Sequence, residues 1–148
     1  MSDLRELYQE VIFDHNRNPR NFGRPPHFDR SSEGFNPLCG DRLTLYIVFG
    51  EDGRVAKAAF EGQGCAISTA SASLMTESLK GKTRDEALKL LEKFHDLLTT
   101  DVAAAKDLGK LVVFCGVRDY PGRVKCATLA WHTLKSALDN DGEPVTTE

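Results

Sequence analysis

The sequence predicts an α+β domain, a small antiparallel β-sheet packed against several α-helices. Three observations carry this. Apolar residues near the start, Leu4, Leu7, Tyr8, Val11 and Ile12, recur at helical spacing. Two strand-type runs, residues 43–49 and 55–61, flank the turn signal Gly50-Glu51-Asp52-Gly53. After residue 65 the chain is a succession of helical stripes. Helix, then strands, then helices is a segregated order, which excludes an alternating βαβ layout.

Taken in order, Ser2 or Asp3 caps the first helix, whose pattern breaks at His15-Asn16-Arg17-Asn18-Pro19. Residues 15–37, rich in Arg, Asn, Pro and Gly, read as a long irregular loop, and loops of that length are often functional. In the first strand Leu43, Leu45, Ile47 and Phe49 share a face; in the second Ala56, Ala58 and Phe60 do. A helix spans about 66–79 and stops at Gly81. Thr83-Arg84-Asp85-Glu86 is a capping box opening a helix with the stripe Ala87, Leu90, Leu91, Phe94, Leu97 and Leu98. Asp101 can cap a short helix ending near Gly109, and residues 111–117 fit helix or strand equally. The last helix runs from about 124 to 139, with Ala127, Ala130, Trp131, Leu134, Ala137 and Leu138 on one side. The tail beyond Asn140 is polar and is expected to fray.

Composition narrows the function classes. The 148 residues suit one domain over 1–140 with a polar tail at 141–148. Lys and Arg total 19 against 22 Asp and Glu, a net charge of −3, which excludes a nucleic-acid binder working through a broad basic face. No uninterrupted apolar run exceeds five residues, far short of the roughly 20 a membrane-spanning helix needs. The N-terminus has no basic segment followed by an apolar one, so no secretory signal is expected. The expected location is cytoplasmic, where four cysteines serve as metal ligands or reactive thiols rather than disulfides.

Those cysteines are Cys39, Cys65, Cys115 and Cys126, and no two form a C-x-x-C pair. An antiparallel hairpin returns the chain to its starting end, so Cys39, just before the hairpin, and Cys65, just after it, are expected close together. Cys65 and Cys126 fall at expected helix starts, where backbone N–H groups and the macrodipole favour a thiolate. Arg123 and Lys125 add positive charge beside Cys126. In Cys39-Gly40-Asp41 a carboxylate lies two positions from a thiol across a flexible Gly40, a spacing that one metal ion can bridge. Three thiolates and a carboxylate suit tetrahedral zinc, and equally an iron–sulfur cluster.

Three segments taken together, Asn36-Pro37-Leu38-Cys39-Gly40-Asp41, Gly62-Gln63-Gly64-Cys65-Ala66-Ile67-Ser68 and residues 123–131 around Cys126, resemble the U-type iron–sulfur assembly proteins, the IscU/SufU superfamily. Asp14-His15-Asn16-Arg17-Asn18-Pro19-Arg20-Asn21 is similar to the same family, and the resemblance covers about residues 4–138. It points to the SufU type. The scaffold type carries His directly before its third motif cysteine; here that place holds Lys125, with Arg123 three before Cys126. The chain between Cys65 and Cys126 also exceeds the scaffold-type length, an excess placed around 100–118.

The resemblance implies zinc held by Cys39, Asp41, Cys65 and Cys126, with Gly40, Arg123 and Lys125 in support. It implies a zinc-dependent sulfurtransferase that accepts persulfide sulfur on Cys39 from the cysteine desulfurase SufS and passes it to the SUF scaffold machinery. Two alternatives stand beside it: a scaffold on which a 2Fe–2S cluster is assembled, and a non-enzymatic, zinc-stabilised activator of the desulfurase. No membrane or nucleic-acid partner is implied. Cys115 matches no motif and is expected to be packed as a bystander. His15 is expected to order its loop by a hydrogen bond, and His95 and His132 to lie on helix surfaces; His27 has only the general ability of a histidine to ligate. Arg17, Arg20, Arg24 and Arg30 form a positive stretch, expected to be solvated, with a docking surface as the lesser reading.

Overall fold

The structure is a computed structural model and describes residues 2–37, 40–99, 108–139 and 145–146. The chain opens with helix α1, Ser2–Arg17. It passes the expected break because His15 is buried in the helix rather than sitting in a loop. The Asn18 N–H bonds the Asp14 carbonyl at 2.8 Å to close the last turn, and Pro19 prevents another.

The expected loop over 15–37 contains a strand that the sequence pattern hides. β1, Arg30–Asn36, pairs antiparallel with β2, Asp41–Phe49, through the register Ser32↔Leu45, Gly34↔Leu43 and Asn36↔Asp41. Its inward side carries Ser32, Gly34 and Asn36, with no large apolar residue. The reason is proximity: a Cβ on Gly34 would lie 2.1 Å from Thr133 Oγ1 and 3.1 Å from Leu129 Cδ1 of the last helix. Where a helix comes this close, small residues replace the alternating Val and Ile that announce a strand.

β2 pairs with β3, Val55–Gln63, as the predicted hairpin, with a register shift at Val48/Phe49. The outer edge of β3 is covered at both ends. The Phe60 backbone exchanges hydrogen bonds with Asn21 and Gly23, and that of Val55 with Gly81 and Lys82. The sheet order is β3-β2-β1-β4, where β4, Val145–Thr146, pairs parallel with β1. The tail expected to fray thus adds a short strand at these two residues.

Helices α2, Ala66–Leu79, and α3, Arg84–Thr99, fall where the sequence places them. The capping box is formed: the Glu86 N–H bonds Thr83 Oγ1 at 3.1 Å and the Thr83 N–H bonds Glu86 Oε1 at 2.9 Å. Residues 109–119, ambiguous in the sequence, form a 3₁₀ helix with Leu111, Val113, Phe114 and Val117 buried. The expected short helix beginning at Asp101 lies outside the described residues. The last helix, α4, Pro121–Asp139, starts three residues earlier than expected. Pro121 is its first residue, a position where a missing N–H costs nothing.

The core lies between the sheet and these helices. Phe94 stacks on Trp131 with ring centroids 4.5 Å apart, and Phe114 meets Phe94 edge-on at 5.7 Å. The small residues of α2 let α4 approach closely: Ser71 Oγ donates to the Ala127 carbonyl at 2.6 Å and accepts from Trp131 Nε1 at 3.1 Å. Among the described residues no helix is long and apolar enough to cross a membrane.

Candidate metal centre

Asp41, Cys65 and Cys126 come from three elements and meet at one end of the sheet. Asp41 opens β2, Cys65 is the N-cap of α2, and Cys126 lies on α4. One carboxylate oxygen and the two sulfurs all lie within 4.8 Å of one another. Asp41 is fully buried and Cys126 nearly so, while Cys65 is half-buried. Buried acidic and thiol groups this close repel one another once ionised, which a bound cation relieves. Two sulfurs and a carboxylate oxygen are a donor set suited to zinc or to iron in a cluster.

Backbone geometry explains the placement. The Cys65 N–H donates to Asp41 Oδ1 at 2.8 Å, joining the end of the hairpin to its start. Cys65 has extended φ/ψ of −70° and 169°, and its sulfur accepts the Ser68 N–H at 3.4 Å, so it caps the helix as Ser or Asp would. Gly64 is small of necessity: a Cβ there would stand 2.8 Å from Asp41 Oδ1. Asp41 is therefore no turn residue bonding its own backbone. Cys126 is the sixth residue of α4, in its second turn, so the expected first-turn help from the helix N-terminus does not apply.

Cys39, the expected fourth ligand and sulfur acceptor, lies outside the described residues. Its neighbour Gly40 has φ +71°, a left-handed conformation that glycine adopts without strain. Of the expected supporting residues, Arg123 stacks its guanidinium 4.5 Å from the ring centre of Tyr120, and Lys125 is partly exposed on α4. Cys115 is half-buried against the core and takes no part in the group. The sequence reading missed a role for Asn36. It is fully buried, and its Nδ2 donates to Asp41 Oδ2 at 3.3 Å and to Cys126 Sγ at 3.5 Å. Its place at the head of the motif Asn36-Pro37-Leu38-Cys39-Gly40-Asp41 was the signal that could have drawn attention to it.

Two arginines of the positive stretch are engaged by neighbouring side chains. Arg20 pairs with Asp14, and Arg24 lies over the Phe28 and Tyr46 rings. His27 is exposed beside Asp29, and His95 is exposed on α3. His15 does make an ordering hydrogen bond, but between helices: its Nδ1 lies 2.7 Å from Ser73 Oγ, which also accepts the Arg20 N–H. The other ring nitrogen, Nε2, lies 3.7 Å from Glu77 Oε1.

Burial pushes the His15 imidazole below its ordinary value of 6.5, with Arg20 adding to the effect and Glu77 opposing it. Burial also lowers His132, helped by His95 and Lys135. Both groups take up protons more readily in the unfolded chain, so their contribution to stability is present above about pH 6.5 and falls as the pH drops below it. Urea midpoints measured from pH 8 to pH 5 should decline below pH 6.5, and the decline should be shallower in His15→Asn. A slope unchanged by that substitution would contradict the assignment to His15.

Fold and site define a class: a small α+β domain that gathers cysteine sulfurs and a carboxylate from separate elements into one largely buried group able to hold a metal ion. The family model for the NifU-like N-terminal domain matches residues 7–139. The chain is 41% identical over 138 residues to the zinc-dependent sulfurtransferase SufU of Bacillus subtilis, covering 93% of this chain and 92% of that one. It is 40% identical over 139 residues to the iron–sulfur cluster assembly scaffold protein IscU of Streptococcus pyogenes, covering 93% and 86%. A solved protein of Fervidobacterium islandicum, described as an iron–sulfur cluster assembly scaffold for the SUF system, superposes with a TM-score of 0.79 at 37% identity, covering 87% of this chain and 94% of its own. The chain belongs to the NifU-like N-terminal domain family and is a SufU-type member of the U-type iron–sulfur assembly proteins.

Proposed function

We propose that the protein is a zinc-dependent sulfurtransferase, receiving persulfide sulfur from a SufS-like cysteine desulfurase and handing it to the SUF assembly machinery in the reducing cytoplasm. The observation that carries this reading is the convergence of Asp41, Cys65 and Cys126 within 4.8 Å. Cys39, two residues before Asp41 in the sequence, would be the fourth ligand. Zinc in this set would keep the thiolates deprotonated yet tied up, so that they stay unreactive until a partner docks. The name of the B. subtilis relative supports zinc, and Lys125 stands where scaffold-type proteins have His.

Cys39 is the proposed acceptor. It follows Pro37 in the connection between β1 and β2 and precedes Gly40, whereas Cys65 and Cys126 are built into helices. Its thiolate attacks the outer sulfur of the desulfurase persulfide. The donor's sulfur–sulfur bond breaks as the new one forms, and the desulfurase thiolate leaves with no net oxidation.

Incubation with a cysteine desulfurase and cysteine, followed by mass spectrometry, should find added sulfur on Cys39 with zinc retained. Cys39→Ser should carry none. If Cys39→Ser still raises desulfurase turnover fully, the protein is an activator rather than an acceptor. The scaffold reading is favoured by the scaffold names of the S. pyogenes relative, at nearly equal identity, and of the F. islandicum structure. Anaerobic reconstitution with iron and sulfide tests it: a stable 2Fe–2S cluster, with sulfur chiefly on Cys126, would replace the transferase reading.

A further inference from the structure

Asn36 is the point where β1 touches the metal-binding set, and nothing in the proposed transfer uses it. Its side chain lies on the inward face of the strand, fully buried, opposite Asp41 in the β1–β2 register. A carboxylate oxygen and a metal-ligating sulfur are acceptors, so the amide presents its nitrogen to both and the orientation of the group is settled. That nitrogen has two hydrogens, and Asp41 Oδ2 at 3.3 Å and Cys126 Sγ at 3.5 Å can each take one. These acceptors come from β2 and α4, so a single group on β1 ties together two ligands with no backbone connection to each other.

We propose that Asn36 is a positioning residue: its amide clamps Asp41 and Cys126 as the fixed pair of the metal shell and quiets the Cys126 sulfur as a nucleophile. The proposal rests on the metal-site reading above. An N–H donated to a thiolate withdraws electron density from sulfur, which strengthens its role as a spectator ligand and weakens it as an attacking group. Cys65 receives the Ser68 N–H to the same effect. Sulfur uptake is thereby directed away from the helix-borne cysteines and towards Cys39.

Two variants test this: Asn36→Asp, which keeps the shape and removes the donor, and Asn36→Ala, which removes the donor without adding charge. Helical circular dichroism checks the fold of each. In cobalt(II) titrations of the zinc-stripped chain, both should bind roughly 10–100-fold more weakly than the parent, the usual cost of losing an outer hydrogen-bond partner. At saturation their sulfur-to-cobalt charge-transfer band should move to lower energy, a shift that merely weaker binding does not produce. In the metal-free chain, at a pH high enough that both thiols are ionised and only their nucleophilicity differs, iodoacetamide should modify Cys126 faster relative to Cys115 in both variants. Parent values for the band position and for the Cys126-to-Cys115 ratio in folded Asn36→Asp would overturn the proposal. If the parent chain takes up no cobalt, the metal-site reading fails, and the alkylation ratio still decides whether Asn36 restrains Cys126.

Discussion

Cys65→Ser and Cys126→Ser are each expected to strip the protein of zinc and of sulfur transfer, while Cys115→Ser keeps both. Cys65 and Cys126 supply sulfurs to one buried group within 4.8 Å, and Cys115 packs against the core elsewhere. A serine hydroxyl is a poor zinc ligand near neutral pH, because it does not ionise as a thiol does. The loss in affinity should exceed the roughly 10–100-fold that an outer hydrogen-bond partner is worth. Asp41→Ala belongs in the same series, with a further effect. Asp41 accepts the Cys65 N–H and the Asn36 amide in a fully buried place, so removing it strands two donors. That should cost about 1–3 kcal/mol of fold stability besides weakening the metal. Metal content by plasma mass spectrometry, with urea unfolding of each variant, checks the series. Equal zinc loss from Cys115→Ser would sink the ligand assignment.

Chelation of the zinc is expected to loosen the site and lower the melting temperature while leaving the fold standing. Zinc-finger peptides unfold without metal because they have no other core. This chain has one, built on Trp131, Phe94, Phe114, Leu45 and Ile47, none of which is a candidate ligand. A ligand present at about a thousand times its Kd stabilises by about 4 kcal/mol. For a domain near this size each kcal/mol is worth roughly 2–4 °C, so the melting point should fall by roughly 8–16 °C. Far-ultraviolet circular dichroism of the apo protein should retain most of its helical signal. A spectrum of unfolded chain after chelation would show that the metal, not the core, holds the domain together.

The parts of this protein that could be read along the chain are those whose cause is local. The β2–β3 hairpin is announced by two apolar runs around a Gly-rich turn, and α3 by a capping box whose two reciprocal hydrogen bonds involve residues three apart. Asp41 and Cys65 could be expected together because a hairpin must bring its two ends together, and Cys126 could be expected beside them because the flanking motifs resemble those of a known family; the three do converge. Asp41 and Cys65 then meet as that topology requires.

What the linear order could not reveal depends on contacts between distant segments. β1 lacks any apolar signature because Gly34 and Ser32 must fit beneath Thr133 and Ser136, a hundred residues further on. His15 looks like part of a loop until Ser73, on another helix, accounts for its burial. Asn36 heads a recognisable motif, but nothing in that motif points to the contacts of its side chain, two of which reach residues 5 and 90 positions away. A hydrogen bond to a side chain across the fold leaves no periodic trace, since only its own two residues are constrained. Periodicity records which face of an element is buried, and packing alone decides what that face meets.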